Sequence, residues 1–254
     1  MEVFKDYAGY YELLYKDKDY NGEAAYLANL IDKFSEKNIK SILDLGCGTG
    51  THASLLAKKY QRVEGIDISE NMILQAREKK LGNMDFHHQD VVNFSLPNRF
   101  DVITSLFHVV SYQTTNDSIM GMIKQVSFHL NGGGLFIFDV WYGPAVLTLK
   151  PETRVKRLEN DKLKIARLAE SELLPNENCV NVHYEIIIQN KLDLSVSFVQ
   201  ETHKMRYYFL PELEMLLNNN NMQLLHSEEW MSGNIPDDKT WGVCFVARKN
   251  TGTK

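Results

Sequence analysis

Hydrophobic and polar positions follow two different patterns along the chain. Up to about residue 140, short apolar runs alternate with segments in which apolar residues recur at helical spacing. Apolar runs of this kind are typical of parallel strands buried on both faces. The alternation therefore predicts a doubly wound α/β sheet. The predicted strands span 41–45, 63–68, 84–87, 100–106 and 135–140, and the predicted helices span 23–34, 51–60, 69–80 and 115–130.

Beyond residue 145 the pattern changes to strict alternation of polar and apolar residues, which continues from 154 to 204. A period of two predicts antiparallel strands with one solvated face. A helix over 211–217 and strands over 223–230 and 241–248 then return the chain to the main sheet. We therefore predict a mostly parallel, seven-stranded sheet with an antiparallel β insertion after the fifth strand.

This division suggests three regions. We predict an N-terminal helical lid over 1–38, a ligand-binding core over 39–145 and 205–254, and a substrate or dimer region over 146–204. Five tyrosines lie between residues 7 and 20. They indicate either an aromatic helix face packed on the core or a lid whose phenol groups reach a bound ligand.

Composition narrows the class of protein. The chain has 254 residues and a net charge of −5, which gives no global electrostatic reason to bind nucleic acid. Its three cysteines are far apart, so neither a disulfide framework nor a Cys-x-x-Cys metal pair is available. The longest apolar stretch is interrupted by Asp139, Gly143 and Pro144, and no apolar leader is visible. We expect a cytoplasmic protein with no membrane or nucleic-acid partner.

The most informative stretch is the glycine-rich turn after the first strand, which contains Gly46, Gly48 and Gly50. Glycine permits positive φ and close approach of the backbone to a ligand, and a helix N-terminus offers free N–H groups. A dinucleotide fingerprint would place glycine where Thr51 stands. Asp67, at the end of the second strand, suits a ribose in either kind of site. No Lys-Ser or Lys-Thr pair follows the glycines, which disfavours a nucleoside triphosphate.

Four segments in order resemble the motifs of class I S-adenosylmethionine-dependent methyltransferases. The resemblance covers about residues 40 to 140 and implies a Rossmann-like methyltransferase sheet with S-adenosylmethionine as cofactor. The segments are Asp44-Leu45-Gly46-Cys47-Gly48-Thr49-Gly50, Gly65-Ile66-Asp67-Ile68-Ser69 with Met72, Gln89-Asp90-Val91, and Phe100-Asp101-Val102-Ile103.

The resemblance also implies roles for individual residues. Gly46 and Gly48 would face the methionine part of the cofactor, and Asp44 would orient its amino end. Asp67 would hold the ribose hydroxyls. Adenine contacts are implied for Ile68, Met72, Asp90 and Val91. The full predicted cofactor set is Tyr15, Tyr20, Asp44, Gly46, Cys47, Gly48, Thr51, His52, Asp67, Ile68, Met72, Gln89, Asp90, Val91 and Leu106.

A closer resemblance involves the segments 13–24, 48–52 and 105–112 together with the antiparallel insertion. These are similar to the N,N-dimethyltransferases that act on nucleotide-linked deoxyamino sugars. That family implies a homodimer and a sugar-nucleotide substrate gripped partly by the insertion. Three alternatives stay open: an O-methyltransferase, an NAD-dependent oxidoreductase, and a cofactor-binding protein without catalysis.

Methyl transfer requires mainly that the nucleophile and the methyl group are held in line, and a base is optional for an amine. We predict catalytic or substrate-orienting roles for Tyr112, His108 and Tyr11, although His108 could equally be a structural histidine. Adjacent residues on a strand face opposite ways, so His87 and His88 do not suggest a metal site. A basic cluster forms either a solvated face or a contact to a diphosphate. Its members are Arg154, Lys156, Arg157, Lys162, Lys164 and Arg167.

Overall fold

The structure, a computed structural model, describes residues 18–252. Five parallel strands form the larger part of its main sheet in the order β3-β2-β1-β4-β5. β1 lies in the centre and is buried along its whole length. The predicted doubly wound α/β sheet is confirmed. The strands are β1 (Ser41–Leu45), β2 (Arg62–Asp67), β3 (Met84–His88), β4 (Phe100–Ser105) and β5 (Leu130–Tyr142).

Four helices pack on these five strands, and two of them begin at a residue whose side chain caps the helix. Ser69 accepts a hydrogen bond from the Met72 N–H, and Thr115 caps the next helix in the same way. The second helix ends at Leu56 rather than residue 60, and the Asn83 amide donates to the carbonyls of Ala57 and Tyr60 after its end. The helices are α1 (Tyr20–Phe34), α2 (Thr51–Leu56), α3 (Glu70–Arg77) and α4 (Asn116–His129).

The C-terminal segment completes the main sheet. After helix α6 (Leu210–Asn218), β10 (Met222–Glu229) pairs only with β11 (Gly242–Lys249). β11 lies antiparallel to β5 from Gly242 to Arg248, so the described main sheet has seven strands, of which only β11 runs in the opposite direction. The predicted return of the chain to the main sheet is confirmed.

The antiparallel insertion is also present, as β6 (Arg154–Glu159), β7 (Leu163–Leu174), β8 (Cys179–Asn190) and β9 (Val196–Tyr208). The last two residues of β9 pair in parallel with the end of β5, which joins the two sheets. A short helix, α5 (Gly143–Leu149), precedes the insertion where the sequence suggested only a break. Pro144 occupies its first turn, where a missing N–H costs nothing. The three-region division stays a prediction.

The core lies in two layers, one on each face of the main sheet. On β5, Phe136 and Phe138 pack in the layer with α4 and α6, whereas Leu135 and Ile137 face α1, α2 and α3. This alternation explains why the run appears continuously apolar in the sequence. Within residues 18–252, none of the helices is both long enough and apolar enough to cross a membrane.

His129, at the end of α4, gives the fold a pH dependence. Its ring is 1% exposed, its Nδ1 lies 2.9 Å from the Gln125 carbonyl, and its Nε2 accepts from the Leu96 N–H at 3.2 Å. This arrangement requires a neutral ring, and burial lowers the pKa of His129. We expect the free energy of unfolding to fall as pH drops below about 6.5, because the unfolded chain then binds a proton that the folded histidine does not.

Urea unfolding between pH 7.5 and pH 5 measures this effect. The variant His129→Gln is expected to be less stable at neutral pH but to lose less stability on acidification than the wild type. Parallel pH curves for the two proteins would contradict the assignment.

Candidate functional site

A cavity of about 540 Å³ opens at the carboxyl ends of the parallel strands. Open α/β sheets bind ligands at this edge, and the volume is in the range of small-molecule sites. Most of the predicted site residues within the described part of the chain line this one cavity. They are Tyr20, Asp44, Gly46, Cys47, Gly48, Thr51, His52, Asp67, Ile68, Met72, Asp90, Val91, Leu106, His108 and Tyr112.

The glycine turn forms part of the cavity wall because its glycines have no side chains to cover the backbone. Gly46 has φ +69°, and a Cβ at this position would lie 2.5 Å from the Val109 side chain. Gly48 has φ +55°, and a Cβ there would meet nothing within 4 Å. Gly46 is thus required for packing, whereas Gly48 leaves open space that a ligand can occupy.

Two aspartates lie next to this turn. Asp44 is 2% exposed and accepts a hydrogen bond from the Thr104 hydroxyl at 2.8 Å. Burial raises the pKa of Asp44, while the charges of His52 and Lys18 act against that rise. The cavity therefore contains a buried acid that a ligand cation can stabilise in its ionised form.

Asp67 closes the turn from the neighbouring strand. Its two carboxylate oxygens accept the N–H groups of Gly48, at 2.9 Å, and Ser69, at 2.8 Å. Burial raises the pKa of Asp67, and these two backbone donors counteract the effect. Each carboxylate oxygen has a second lone pair, so the group can also accept hydrogen bonds from a ligand in the cavity.

Another part of the cavity lining is apolar. Ile68 is 61% exposed although it is a large aliphatic residue, and it lies in the lining with Met72 and Leu106. Asp90 accepts from the Val92 N–H at 3.0 Å. Gln89 does not line the cavity: its side chain bonds the backbone of Ser95 instead.

Lys18 and Glu23, near the start of the described chain, lie beside the turn and had not been predicted from sequence. Lys18 Nζ and His52 Nε2 contact the same Glu23 oxygen at 3.3 Å and 2.6 Å. Lys18 Nζ also lies 3.6 Å from the centre of the Phe107 ring, and burial lowers the pKa of this lysine. The Tyr20 ring meets the His52 ring edge to face. Tyr11 and Tyr15 lie outside the described residues.

After β4 the chain turns sharply, and His108 sits at φ +63°. Its backbone N–H donates to Asp139 Oδ1 at 3.1 Å, and its ring Nδ1 lies 2.6 Å from Asp139 Oδ2. The buried Asp139 carboxylate thus bonds the backbone of His108 and lies in close contact with its ring. This loop places His108 and Tyr112 along the cavity.

The insertion contributes a further wall of the cavity, through residues that were not predicted individually. Tyr184, His203 and Met205, from β8 and β9, line the same cavity as the glycine turn. The Tyr112 hydroxyl lies 2.7 Å from His203 Nδ1, and His203 Nε2 lies 3.0 Å from Glu201 Oε2. The period of two along β9 could have placed His203 and Glu201 on one face, but only the pairing register shows which face meets the cavity.

Comparison with known proteins gives a consistent result. Residues 42–134 match the family model of the methyltransferase domain. The chain is 26% identical over 230 residues to the dTDP-3-amino-3,4,6-trideoxy-α-D-glucopyranose N,N-dimethyltransferase of Streptomyces venezuelae, covering 90% of this chain and 94% of the relative. It is 27% identical to the dTDP-3-amino-3,6-dideoxy-α-D-glucopyranose N,N-dimethyltransferase of Streptomyces fradiae, over 82% of each chain.

Among solved structures, Streptomyces venezuelae DesVI superposes with a TM-score of 0.82 at 25% identity, covering 98% of this chain and all of that one. A methyltransferase from Clostridium acetobutylicum superposes with a TM-score of 0.81 at 21% identity over 97% of this chain and 98% of that one, a likeness that concerns the fold alone. These comparisons favour methyl transfer over the NAD-dependent oxidoreductase that the sequence left open. With its methyltransferase domain the chain is an S-adenosylmethionine-dependent methyltransferase, and over most of its length it resembles the N,N-dimethyltransferases of nucleotide-linked deoxyamino sugars.

Proposed function

We propose that this protein methylates the amino group of a sugar linked to a nucleotide. The observation that carries the proposal is that the similarity to the Streptomyces venezuelae sugar N,N-dimethyltransferase spans 90% of the chain and so extends through the insertion. The insertion strands β8 and β9 line the same cavity as the glycine turn. An acceptor held by the insertion would therefore lie next to the methyl donor.

The described residues fit S-adenosylmethionine in kind and in position. This cofactor supplies a methyl group on a positively charged sulfur, and it carries a zwitterionic end, a ribose and an adenine but no phosphate. Asp44 would pair with its ammonium group, Gly48 leaves space for its methionine part, and Asp67 would accept the ribose hydroxyls. Ile68 and Met72 would cover the adenine.

On the acceptor side, we propose that Tyr112 contacts the amine. Tyr112 lines the cavity and lies in the segment that follows β4. His108 is tied to Asp139, so we assign it the role of holding this loop. Most of the rate would come from alignment of the amine with the methyl group.

The direct test is transfer to the acceptor named for the Streptomyces venezuelae relative. The protein is incubated with S-adenosylmethionine and dTDP-3-amino-3,4,6-trideoxy-α-D-glucopyranose, and mass spectrometry follows the addition of one and two methyl groups. A matched dTDP-sugar with a hydroxyl in place of the amine is the control. Binding of S-adenosylhomocysteine without transfer to the amine, or transfer to the hydroxyl control, would reject N-methylation of this acceptor.

Lys156 is our candidate contact to the diphosphate of such an acceptor. It lies in a second open cavity, shared with Lys18, Phe107 and His108 of the first, whereas Arg157 points to the opposite face of the insertion. We expect Lys156→Ala to raise KM for the sugar nucleotide about tenfold, as one charge-assisted hydrogen bond is lost. S-adenosylhomocysteine affinity should not change. Steady-state kinetics measures both values, with Arg157→Ala as the control. If the two variants behave alike, Lys156 is not the diphosphate contact.

We further propose a homodimer formed through the outer face of the insertion. That face exposes Val155 (49%), Ile187 (39%), Val196 (62%) and Phe198 (55%), which alternate with the residues that face the cavity. Analytical ultracentrifugation should give twice the chain mass of 29.3 kDa. Phe198→Glu should shift the mass to that of one chain, and a monomeric wild type would exclude the dimer.

A further inference from the structure

His203 and Glu201 form a buried polar pair in the wall that the insertion contributes to the cavity. They lie two residues apart on β9 and therefore share the face that lines the cavity. His203 is 4% exposed, and the side chain of Glu201 is 10% exposed. Burying titratable groups costs free energy, so a titratable pair in the wall of a cavity suggests a role in the chemistry of that cavity.

The hydrogen bonds define which nitrogen of His203 carries the proton. A carboxylate can only accept, so the 3.0 Å contact with Glu201 requires a proton on Nε2. In the neutral ring, Nδ1 then accepts the hydroxyl hydrogen of Tyr112, whose oxygen lies 2.7 Å away. A histidine whose other nitrogen is held by a carboxylate is oriented as in established general-base arrangements.

We propose that His203, oriented by Glu201 and acting through Tyr112, accepts the proton that the acceptor amine must lose before it is methylated. This inference rests on the proposed amine acceptor. Tyr112 would be the catalytic residue that touches the amine, and His203 a positioning residue behind it.

The proposed reaction begins with the transfer of one proton from the acceptor amine. An amine that arrives as an ammonium ion has no lone pair for attack. Its proton passes to the Tyr112 oxygen as the Tyr112 proton passes to His203 Nδ1, which leaves an imidazolium ion beside the Glu201 carboxylate. The nitrogen lone pair then forms the bond to the methyl carbon, and the electrons of the broken carbon–sulfur bond stay on sulfur. The methylated ammonium product leaves, and His203 releases its proton to solvent.

Several titratable, charged or aromatic groups surround the His203 ring. Tyr112 approaches from the loop after β4, Tyr184 packs edge-on against the ring from β8, and Glu201 lies on the same strand. The Arg167 guanidinium, from β7, lies over the Tyr184 ring at 5.1 Å. The Tyr112 hydroxyl and the Glu201 carboxylate bond the ring directly, at Nδ1 and Nε2.

The decisive variant is His203→Asn, because an asparagine oxygen can accept the Tyr112 hydroxyl but cannot take up a proton. We expect kcat at pH 7, with the amino-sugar nucleotide used above, to fall about 10²-fold, the usual contribution of a general base. Above the pKa of the acceptor amine the loss should shrink to less than about tenfold, because free amine then binds directly. S-adenosylhomocysteine affinity should be unchanged. His183→Asn, on the opposite face of β8, is the matched control and should behave as wild type.

A wild-type pH profile in His203→Asn would overturn the proposal, since it would mean that His203 only orients Tyr112. ¹⁵N-histidine NMR is an independent experiment that needs no acceptor substrate. The proposal requires a neutral His203 that carries its proton on Nε2 and takes up a second proton on Nδ1 as the pH falls. A neutral ring with its proton on Nδ1, or a ring that does not titrate, would overturn it even if the protein proves to methylate another substrate.

Discussion

Replacing Asp67 with alanine is expected to weaken the binding of S-adenosylhomocysteine by about 10²- to 10⁴-fold. The proposed ribose contacts are two hydrogen bonds to a charged acceptor, each contributing roughly 1.5–3 kcal/mol. The same carboxylate accepts the Gly48 N–H, so its removal also loosens the turn beside the ligand. Isothermal titration calorimetry measures the loss directly.

The conservative variant Asp67→Asn separates the two contributions. An amide oxygen can still accept one backbone N–H, but it has no charge and cannot accept from both ribose hydroxyls and the turn. Its affinity should lie between those of the wild type and Asp67→Ala. Asp85→Ala, at an exposed position on β3, is the control. Unchanged affinity in Asp67→Ala would mean that the ribose lies elsewhere.

A single methyl group on Gly48 should have a comparable effect on binding for a different reason. A Cβ at this position projects into open space within the cavity, where the proposed methionine part of the cofactor would lie. We expect Gly48→Ala to reduce S-adenosylhomocysteine affinity by at least about 10²-fold. The positive φ should cost about 1–2 kcal/mol of stability, which thermal unfolding would report as a decrease in Tm of several degrees.

Gly50→Ala is the matched control for backbone strain. Gly50 has φ +73°, and a Cβ there would lie 2.7 Å from the Phe86 ring rather than in the cavity. This variant should lose more stability than Gly48→Ala but keep the cofactor affinity of its folded fraction. If both variants lose binding equally, the position of the ligand at Gly48 is wrong.

The fold could be predicted from local patterns because each strand and helix carries its own signal. The buried strands are apolar runs, Ser69 and Thr115 mark helix starts, and the change to a period of two marks the insertion. Pro144 was misleading, since proline suits the first turn of a helix as well as a break. The end of α2 was predicted too late because the turn that follows it is held by Asn83, a residue 26 positions away from Ala57.

The site residues also differ in whether a local pattern or a distant contact determines their position. The glycine turn, Asp44 and Asp67 are adjacent to their own strands, so sequence order places them at one edge of the sheet. Lys18 and His203 were missed because their position depends on contacts with distant residues, such as Phe107 for Lys18 and Tyr112 for His203. Gln89 shows the opposite case, since it follows a strand at the right edge but bonds its own loop.

The two hydrogen-bonded residue pairs that join β9 to the end of β5 have a consequence for how this enzyme can acquire new substrates. Because Tyr207 and Tyr208 continue the backbone of the main sheet, the cavity wall formed by β8 and β9 is anchored to the end of β5. If this wall binds the acceptor as proposed, exchange of single side chains on β8 and β9 would alter which acceptor is selected while the geometry of the methyl donor is preserved. Such a scaffold allows acceptor choice to diverge by point substitution, without hinge motion or change of fold.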